Sequence, residues 1–186
     1  MPQIAHPHRL VEMQPHSAGE RGFTVIELMI AIAIMGILLA IALPNFQQMI
    51  AGQRVRGANS DMFSALLLAR SEAIKRNSSV NVVPSASGWG GGWTVQFTSG
   101  STTTLQKQDA LDASVSVVQT ESDGDVITAN VTFGGNGRPL AASSGISFIM
   151  SSSNYGEIPA RCITLSLSGL PEARLDTDGD PDNGCQ

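Results

Sequence analysis

The sequence predicts an α+β fold, in which one long N-terminal helix packs on a C-terminal antiparallel β-domain. An apolar run of 21 residues fills 23–43, and helical periodicity continues behind it to residue 76. After residue 77 the chain changes to short β-type segments that alternate with glycine- and serine-rich turns. No second long helical pattern follows, so we expect these strands to pair in antiparallel sheets.

The composition excludes several classes of protein. Hydrophobic residues make up 42% of the 186 residues and charged residues only 15%, which argues against a disordered chain. The net charge is −5, with +2 in residues 23–76 and −7 in residues 77–186, so the chain is not a generic basic nucleic-acid binder. Its two cysteines exclude a disulfide-dense scaffold and a multi-cysteine zinc module.

The apolar run 23–43 has the length of a membrane-spanning helix. It reads FTVIELMIAIAIMGILLAIAL, and its only polar members are Thr24 and Glu27. As a helix it is roughly 30 Å long, the thickness of the hydrocarbon core of a bilayer. A secretory signal core is shorter, about 7–15 residues, and ends at a small-residue cleavage site. The alternative is the core helix of a soluble protein, but no other part of the chain could cover an apolar helix of this length.

Glu27 is unusual within this run, because a carboxylate inside a bilayer costs a few kcal/mol. An acid in such a place normally has a cationic partner. One candidate is the α-amino group that a cut immediately before Phe23 would create. The alternative is an interfacial glutamate whose carboxylate reaches the lipid headgroups.

The segment GFTVIEL at 22–28 resembles the prepilin-peptidase signal of type IV pilins and type II secretion pseudopilins. In that family the peptidase cuts after the glycine and methylates the new N-terminal phenylalanine, and the glutamate docks neighbouring subunits. The resemblance implies a leader at 1–22, cleavage between Gly22 and Phe23, N-methylation of Phe23 and subunit docking by Glu27. It also implies a single-pass protein of the inner membrane with its C-terminal domain in the periplasm.

The leader has 22 residues and is longer than the family's usual leaders. A start at Met13 would give the shorter leader MQPHSAGERG, so we expect translation to begin there. N-terminal sequencing of unprocessed precursor tests this expectation. Arg21, just before the cut, would keep the leader on the cytoplasmic side of the membrane.

Residues 44–77 form the amphipathic second half of the predicted helix, whose apolar side would pack on the β-domain. Pro44 cannot donate a backbone hydrogen bond, so a kink or a local loosening is expected there. The end of this half, LLLARSEAIKRN at 66–77, resembles the FimT/GspH subgroup of minor pilins and pseudopilins. Its basic cluster is interpreted as a solvated helix end favoured by the helix dipole, rather than as a phosphate site. The apolar positions are Phe46, Met49, Ile50, Ala58, Met62, Ala65, Leu66, Ala69, Ala73 and Ile74, and the basic cluster is Arg70, Lys75 and Arg76.

The β-rich domain is expected at 78–186, with Gly88–Gly92 and Gly134–Gly137 as turns. Trp89 and Trp93 are expected to pack at a hairpin end rather than to form a ligand platform. The stretch 131–138 resembles the central strand and Gly-Arg turn of the FimT/GspH subgroup. The predicted strands are Val80–Val83, Trp93–Phe97, Thr102–Gln106, Val115–Val118, Asn130–Phe133, Ile146–Ile149 and Ile163–Leu167.

Cys162 and Cys185 are separated by 22 residues, and a domain outside the inner membrane meets oxidising conditions. We therefore expect a disulfide, which would stabilise the domain by about 3 kcal/mol in the chain-entropy model. Free buried thiols are the alternative.

An acidic segment lies between the two cysteines. Its alternating carboxylates are hard-oxygen ligands of the kind that Ca²⁺ prefers. Its match to an EF-hand is poor, because Pro181 stands where a glycine is needed. A solvated acidic loop is the favoured interpretation and a Ca²⁺ site the alternative. No other cofactor is expected. The carboxylates are Asp176, Asp178, Asp180 and Asp182.

The processed chain would contain no histidine, no P-loop and no zinc-ligand spacing, so catalysis is not expected. The expected function is that of a minor type IV pilin, a structural subunit that primes or caps the pilus. The alternative is the homologous pseudopilin of a type II secretion system. The expected partners are the prepilin peptidase, other major and minor pilins and the inner membrane.

A second alternative is DNA binding during natural transformation, which some FimT-like proteins achieve through a Gly-Arg-x-Arg motif near the C-terminus. The corresponding stretch at 168–174 retains only Arg174 as a basic residue, and Glu172 would repel phosphate. Arg138 and Arg174 are the residues that such a function would use. The charge of −7 over residues 77–186 argues against it.

Overall fold

The structure is a computed structural model that describes residues 22–99, 101–121, 124–140, 145–155 and 158–176. The internal contacts of the chain divide it into two compact units, residues 1–41 and residues 42–186. The predicted α+β class is confirmed, since one long helix is followed by nine strands among the described residues. The first unit contains the start of that helix, and the second contains the rest of it with all of the described strands.

Helix α1 runs from Val25 to Arg76 and continues through Pro44, so the helix is not broken there. It ends where the sequence predicts, because Asn77 takes a left-handed conformation (φ 47°) and Ser78 donates its N–H to the Ala73 carbonyl at 3.1 Å. The prediction of a packed apolar face on α1 is wrong at three positions. The side chains of Phe46, Met49 and Ile74 are exposed. The buried positions of α1 are Ala51, Val55, Ala58, Asn59, Met62, Ala65, Leu66, Ala69 and Ala73.

The described strands form two antiparallel sheets in the 42–186 unit. One sheet has four strands in the order β3-β2-β1-β6, and the other has five in the order β5-β4-β7-β8-β9. The strand bounds are β1 Val80–Ser85, β2 Gly88–Ser99, β3 Ser101–Gln108, β4 Val115–Glu121, β5 Val126–Ile127, β6 Val131–Phe133, β7 Ile146–Ser152, β8 Arg161–Leu165 and β9 Pro171–Leu175.

All seven predicted strands exist, but the pattern missed β5 and β9 and misread Gly88–Gly92. That glycine run is the first part of β2 and not a turn. It bulges out of the β1–β2 pairing, because Pro84 pairs with Trp93 while the next residue, Ser85, pairs with Gly88. Gly92 has φ +91°, and a Cβ there would collide with the Gln108 carbonyl oxygen, so the bulge needs glycine at this position.

A single main core joins α1 to both sheets. Its helical part includes Met62 and Leu66, which are fully buried together with residues of β1, β2, β6, β7 and β8. Trp89 and Trp93 lie in this core with their ring centroids 6.5 Å apart, and Trp89 meets the Phe148 ring edge-on at 5.0 Å. Both tryptophans are thus packing residues, as predicted, although they lie within β2.

Two glycine turns meet near the end of α1. Gly137 (φ +74°) lies in the turn after β6, and Gly169 (φ +80°) lies in the turn between β8 and β9. Arg70 of α1 donates its Nε–H to the Gly137 carbonyl at 3.2 Å, and Arg138 donates its Nε–H to the Leu167 carbonyl at 3.1 Å. The β6 segment, which resembles the central strand of the FimT/GspH subgroup, ends the four-stranded sheet.

Candidate assembly site

The first turn of α1 is capped by Thr24. Its side-chain oxygen accepts the N–H of Glu27 at 3.2 Å, and its carbonyl accepts the N–H of Leu28 at 3.2 Å. The order Thr-Val-Ile-Glu has the spacing of an N-terminal capping box. The negative side chain of Glu27 therefore stands in the first helical turn, where the helix dipole favours an anion.

The peptide bond expected to be cleaved lies immediately before this cap. Residues 22–24 are not helical, Gly22 has no neighbouring atom within 4 Å of a Cβ position, and the side chain of Phe23 is 85% exposed. Residues 1–21, including Met13 and Arg21, lie outside the described part of the chain. Cleavage, methylation and the start at Met13 remain predictions.

Apolar side chains cover the first half of α1 on every side. Every residue from Val25 to Leu43 is exposed, and the most apolar 18-residue window has a mean hydropathy of 2.8 with none of it buried. This is the one helix of the described residues that is long and apolar enough to cross a membrane. Such a surface needs a lipid or protein environment that covers it. Glu27, also exposed, is the single charged residue on it.

The end of α1 carries the basic cluster Arg70, Lys75 and Arg76. Glu72 accepts hydrogen bonds from Arg76 at 2.7 Å and from Lys75 at 3.2 Å, and these bonds hold the pKa of the Glu72 carboxyl below its ordinary value. The Arg76 guanidinium also lies 4.8 Å from the centre of the Phe97 ring. Arg70 bonds to the Gly137 carbonyl, so all three basic side chains make contacts within the protein. The expected solvated helix end did not include these contacts.

The two arginines considered for DNA contact each bond to an acceptor within the β-domain. Arg138 contacts the β8–β9 turn through Leu167, and its backbone N–H is bonded to Asn136 at 3.0 Å. Arg174 lies on β9 and approaches Thr164 of β8 at 3.4 Å. Each guanidinium therefore has an intramolecular acceptor, and nothing in these contacts favours a DNA site.

The cysteine and carboxylate predictions fall largely outside the described residues. Cys162 is fully buried in β8, but Cys185 lies outside, so the disulfide remains a prediction. Asp176 is buried after β9, whereas the other three carboxylates of the proposed Ca²⁺ loop, Asp178, Asp180 and Asp182, are not described. The described residues contain no group of three or more His, Cys, Asp or Glu side chains that could hold a metal ion.

Two polar contacts were not anticipated from the sequence. Arg54 of α1 reaches the loop before β4, where its Nη1 lies 2.9 Å from Asp112 and 3.3 Å from Ser114. Gln119 is buried in β4 and accepts the Trp89 indole N–H at 2.9 Å. The alternation of β4 gave no signal for this glutamine, because Val118, Gln119 and Thr120 interrupt it.

Comparison with known proteins supports a pilin-like identity. A family model described as type II transport protein GspH matches residues 58–169, and a prokaryotic N-terminal methylation motif matches residues 17–43. A fimbrial protein of Pseudomonas aeruginosa is 51% identical over 55 residues, which are 30% of this chain and 35% of that protein. The type IV major fimbrial protein FimA of Dichelobacter nodosus is 52% identical over 42 residues, 23% of this chain and 27% of that protein. The chain thus spans about a third or less of the length of these curated relatives.

Two solved structures share the fold. The type IV minor pilin FimU of Pseudomonas aeruginosa aligns with a TM-score of 0.53 at 18% identity, covering 72% of this chain and 96% of that one. The minor pseudopilin EpsH of the Vibrio cholerae type 2 secretion system aligns with a TM-score of 0.51 at 12% identity, covering 68% and 99%. Because the GspH family model matches more than half of the chain, the chain belongs to this family of minor pilins and pseudopilins.

Proposed function

We propose that the chain is a minor type IV pilin, a non-catalytic subunit that is stored in the inner membrane and incorporated into a pilus. In this proposal residues 23–43 cross the membrane once, the β-domain lies in the periplasm, and the prepilin peptidase cuts between Gly22 and Phe23. The methylated amine of Phe23 and the carboxylate of Glu27 then set the register between neighbouring pilins. The other partners are major and minor pilins.

The observation that carries this proposal is the placement of Glu27. It is a single carboxylate in the first turn of a helix whose first half, Val25 to Leu43, has apolar side chains exposed on every side. In a bilayer or a bundle of such helices an unpaired carboxylate is costly, and a cationic chain end on a neighbouring subunit would offset that cost. The helix would thus supply association, and the charge pair would supply register.

Replacement of Glu27 tests the proposal. The Glu27→Ala variant should be cleaved and remain in the membrane, but it should disappear from sheared pili on an immunoblot. Asp61→Ala, which removes another carboxylate of α1, is the matched control and should be incorporated normally. Undiminished incorporation of the Glu27→Ala variant would refute the docking role.

A second candidate is the pseudopilin of a type II secretion system. The description of the matching family model and the likeness to EpsH support it, whereas the fimbrial relatives support the pilus. The helix and the processing signal would serve both machines equally. A deletion strain separates the two, since loss of twitching indicates the pilus and loss of exoprotein secretion indicates the secretion system.

A further inference from the structure

A cleft of about 380 Å³ opens beside β4 in the 42–186 unit. Its lining includes residues 87–90, where the β1–β2 hairpin turns into β2, and residues 126–128, which include β5. Residues 115–119 of β4 and Ser153 also line the cleft. None of the lining residues that the structure describes carries a charge.

Strand β4 is only partly paired on the side of this cleft. Against β7 it pairs along its whole length, from Val115 to Glu121. Against β5 it pairs at Gln119 and Thr120 alone. The stretch 115–118 therefore has a strand neighbour on one side and the cleft on the other.

The direction of the backbone groups follows from the β4–β5 pairing. Glu121 donates its N–H to the Asp125 carbonyl at 3.0 Å, so Glu121 faces β5. Alternate residues of an antiparallel strand turn their N–H and C=O to the same side, so Gln119 and Val117 face that side as well. At Val115 the N–H is already bonded to the Asp112 carbonyl. Val117 thus presents both of its main-chain groups towards the cleft.

Gln119 explains why β5 stops. If the register of β5 continued, Ala129 would stand opposite Val117 and would donate its N–H to the Val117 carbonyl. Instead, Ala129 donates to the side-chain oxygen of Gln119 at 3.0 Å. The same oxygen accepts the Trp89 indole N–H, while the buried Nε2 of Gln119 has no hydrogen-bond partner among the described residues. The side chain of Gln119 thus accepts the N–H that would otherwise form the next β4–β5 hydrogen bond, and the pairing ends there.

From this geometry we propose that the cleft binds an extended, uncharged peptide segment of a partner protein by β-strand addition to β4. A half-paired strand offers main-chain donors and acceptors to an incoming strand, which is the general basis of such recognition. The lining adds the hydroxyl groups of Ser87, Ser116, Thr128 and Ser153.

The charge of the lining selects the occupant. The described part of residues 77–186 contains six acidic and four basic residues, and none of these lines the cleft. A charged segment would lose its hydration in the cleft without gaining a counter-charge, which costs free energy. A Ser-, Thr- and Val-rich segment would pay a much smaller cost of desolvation. Neither Glu27 nor a residue of the apolar half of α1 is among the described lining residues, so peptide binding can fail while the proposed assembly role stands.

The test uses the purified full chain in detergent micelles and a phage-displayed library of random heptapeptides. Gly90 lines the cleft and has no neighbouring atom within 4 Å of a Cβ position, so Gly90→Phe should fill the cleft without disturbing the fold. Gly57 of α1 is equally open, and Gly57→Phe is the matched control. Ser116→Lys, which places a charge at the cleft, serves as a second blocking variant.

Uncharged peptides rich in β-branched residues should be enriched, and a synthetic copy should protect the Val117 amide from hydrogen exchange. N-methylation of alternate amides of that peptide should weaken binding by about tenfold or more, since main-chain hydrogen bonds are lost. The Gly90→Phe and Ser116→Lys variants should weaken binding by a similar factor, because each blocks the cleft. Gly57→Phe should leave binding unchanged. No enrichment, enrichment of charged peptides, or full binding by the N-methylated peptide would overturn the proposal.

Discussion

Gly169 and Gly137 are in main-chain contact, so that a Cβ on Gly169 would collide with the carbonyl oxygen of Gly137. That same carbonyl accepts the Nε–H of Arg70 from α1. The contact therefore fixes the turn after β6, the β8–β9 turn and the helix at one place. Neither glycine is exceptional in the sequence, since the chain has 19.

The first prediction concerns this contact. Gly169→Ala should lower the free energy of unfolding by about 1–3 kcal/mol, because alanine is strained at positive φ and its methyl group meets the Gly137 carbonyl. Urea unfolding of the full chain in detergent, followed by fluorescence of the buried tryptophans, measures the change. Gly57→Ala is the control and should stabilise by about 0.5–1 kcal/mol, because Gly57 lies within a helix and has open space. Equal stability of Gly169→Ala and wild type would contradict the contact.

The second prediction concerns Gln119. Gln119→Leu leaves the buried Trp89 indole N–H and the more exposed Ala129 N–H without their acceptor. The free energy of unfolding should fall by about 1–3 kcal/mol, mainly through the buried indole donor. Gln119→Glu retains an acceptor oxygen and should recover part of the loss. Gln96→Leu, on a half-buried position of β2, is the control. A Gln119→Leu variant as stable as wild type would show that these two bonds carry little stability.

The third prediction concerns acid stability. Hydrogen bonds from the Ser114 hydroxyl and backbone N–H, together with the charge of Arg54, lower the pKa of Asp112. A carboxyl whose pKa is lowered by folding stabilises the folded state above its ordinary pKa of about 3.9 and loses that contribution as the pH falls through the lowered value. Asp112→Asn should therefore reduce the loss of stability between neutral pH and the acid range, as measured by urea midpoints. Urea midpoints that fall with pH as steeply in the Asp112→Asn variant as in wild type would count against the role of Asp112.

The fourth prediction concerns the expected disulfide between Cys162 and Cys185. The oxidised full chain should not react with a maleimide before reduction, and reduction should lower the free energy of unfolding by about 3 kcal/mol. Cys185→Ser alone should lose about as much stability as reduction does, whereas Cys162→Ser would also place a hydroxyl in a fully buried position. Two maleimide-reactive thiols in unfolded, unreduced protein would refute the bridge.

Periodicity and length were sufficient to predict the architecture. The apolar run at 23–43, the helical rhythm to residue 76 and the β-type segments after it are local patterns, and each is confirmed in the element order. The prediction failed where a residue's environment is set by distant parts of the chain. Phe46 and Met49 continue the apolar rhythm but are exposed, because the buried positions of α1 begin at Ala51.

The strand errors have a similar physical origin. Gly88–Gly92 has the composition of a turn, but the bulge opposite Pro84 and Ser85 keeps it in β2. Strand β9 contains Pro171, Glu172 and Arg174, residues that are typical of an edge strand and weaken the β-type pattern. Phe23 and Glu27, for which an assembly role is proposed, were predicted from a local motif, whereas Gln119 and Arg54 bond to partners 30 and 58 residues away in sequence.

The exposed apolar surface of α1 between Val25 and Leu43 bears on how a subunit would move between the lipid bilayer and a bundle of such helices. Lipid tails and the side chains of a second such helix are about equally apolar, so exchanging one cover for the other changes the hydrophobic free energy little. A subunit could then be withdrawn from the bilayer and later returned to it without unfolding. Whether a subunit leaves the bilayer or returns to it would then depend on polar contacts and on free energy supplied by other proteins, not on the apolar surface of the helix.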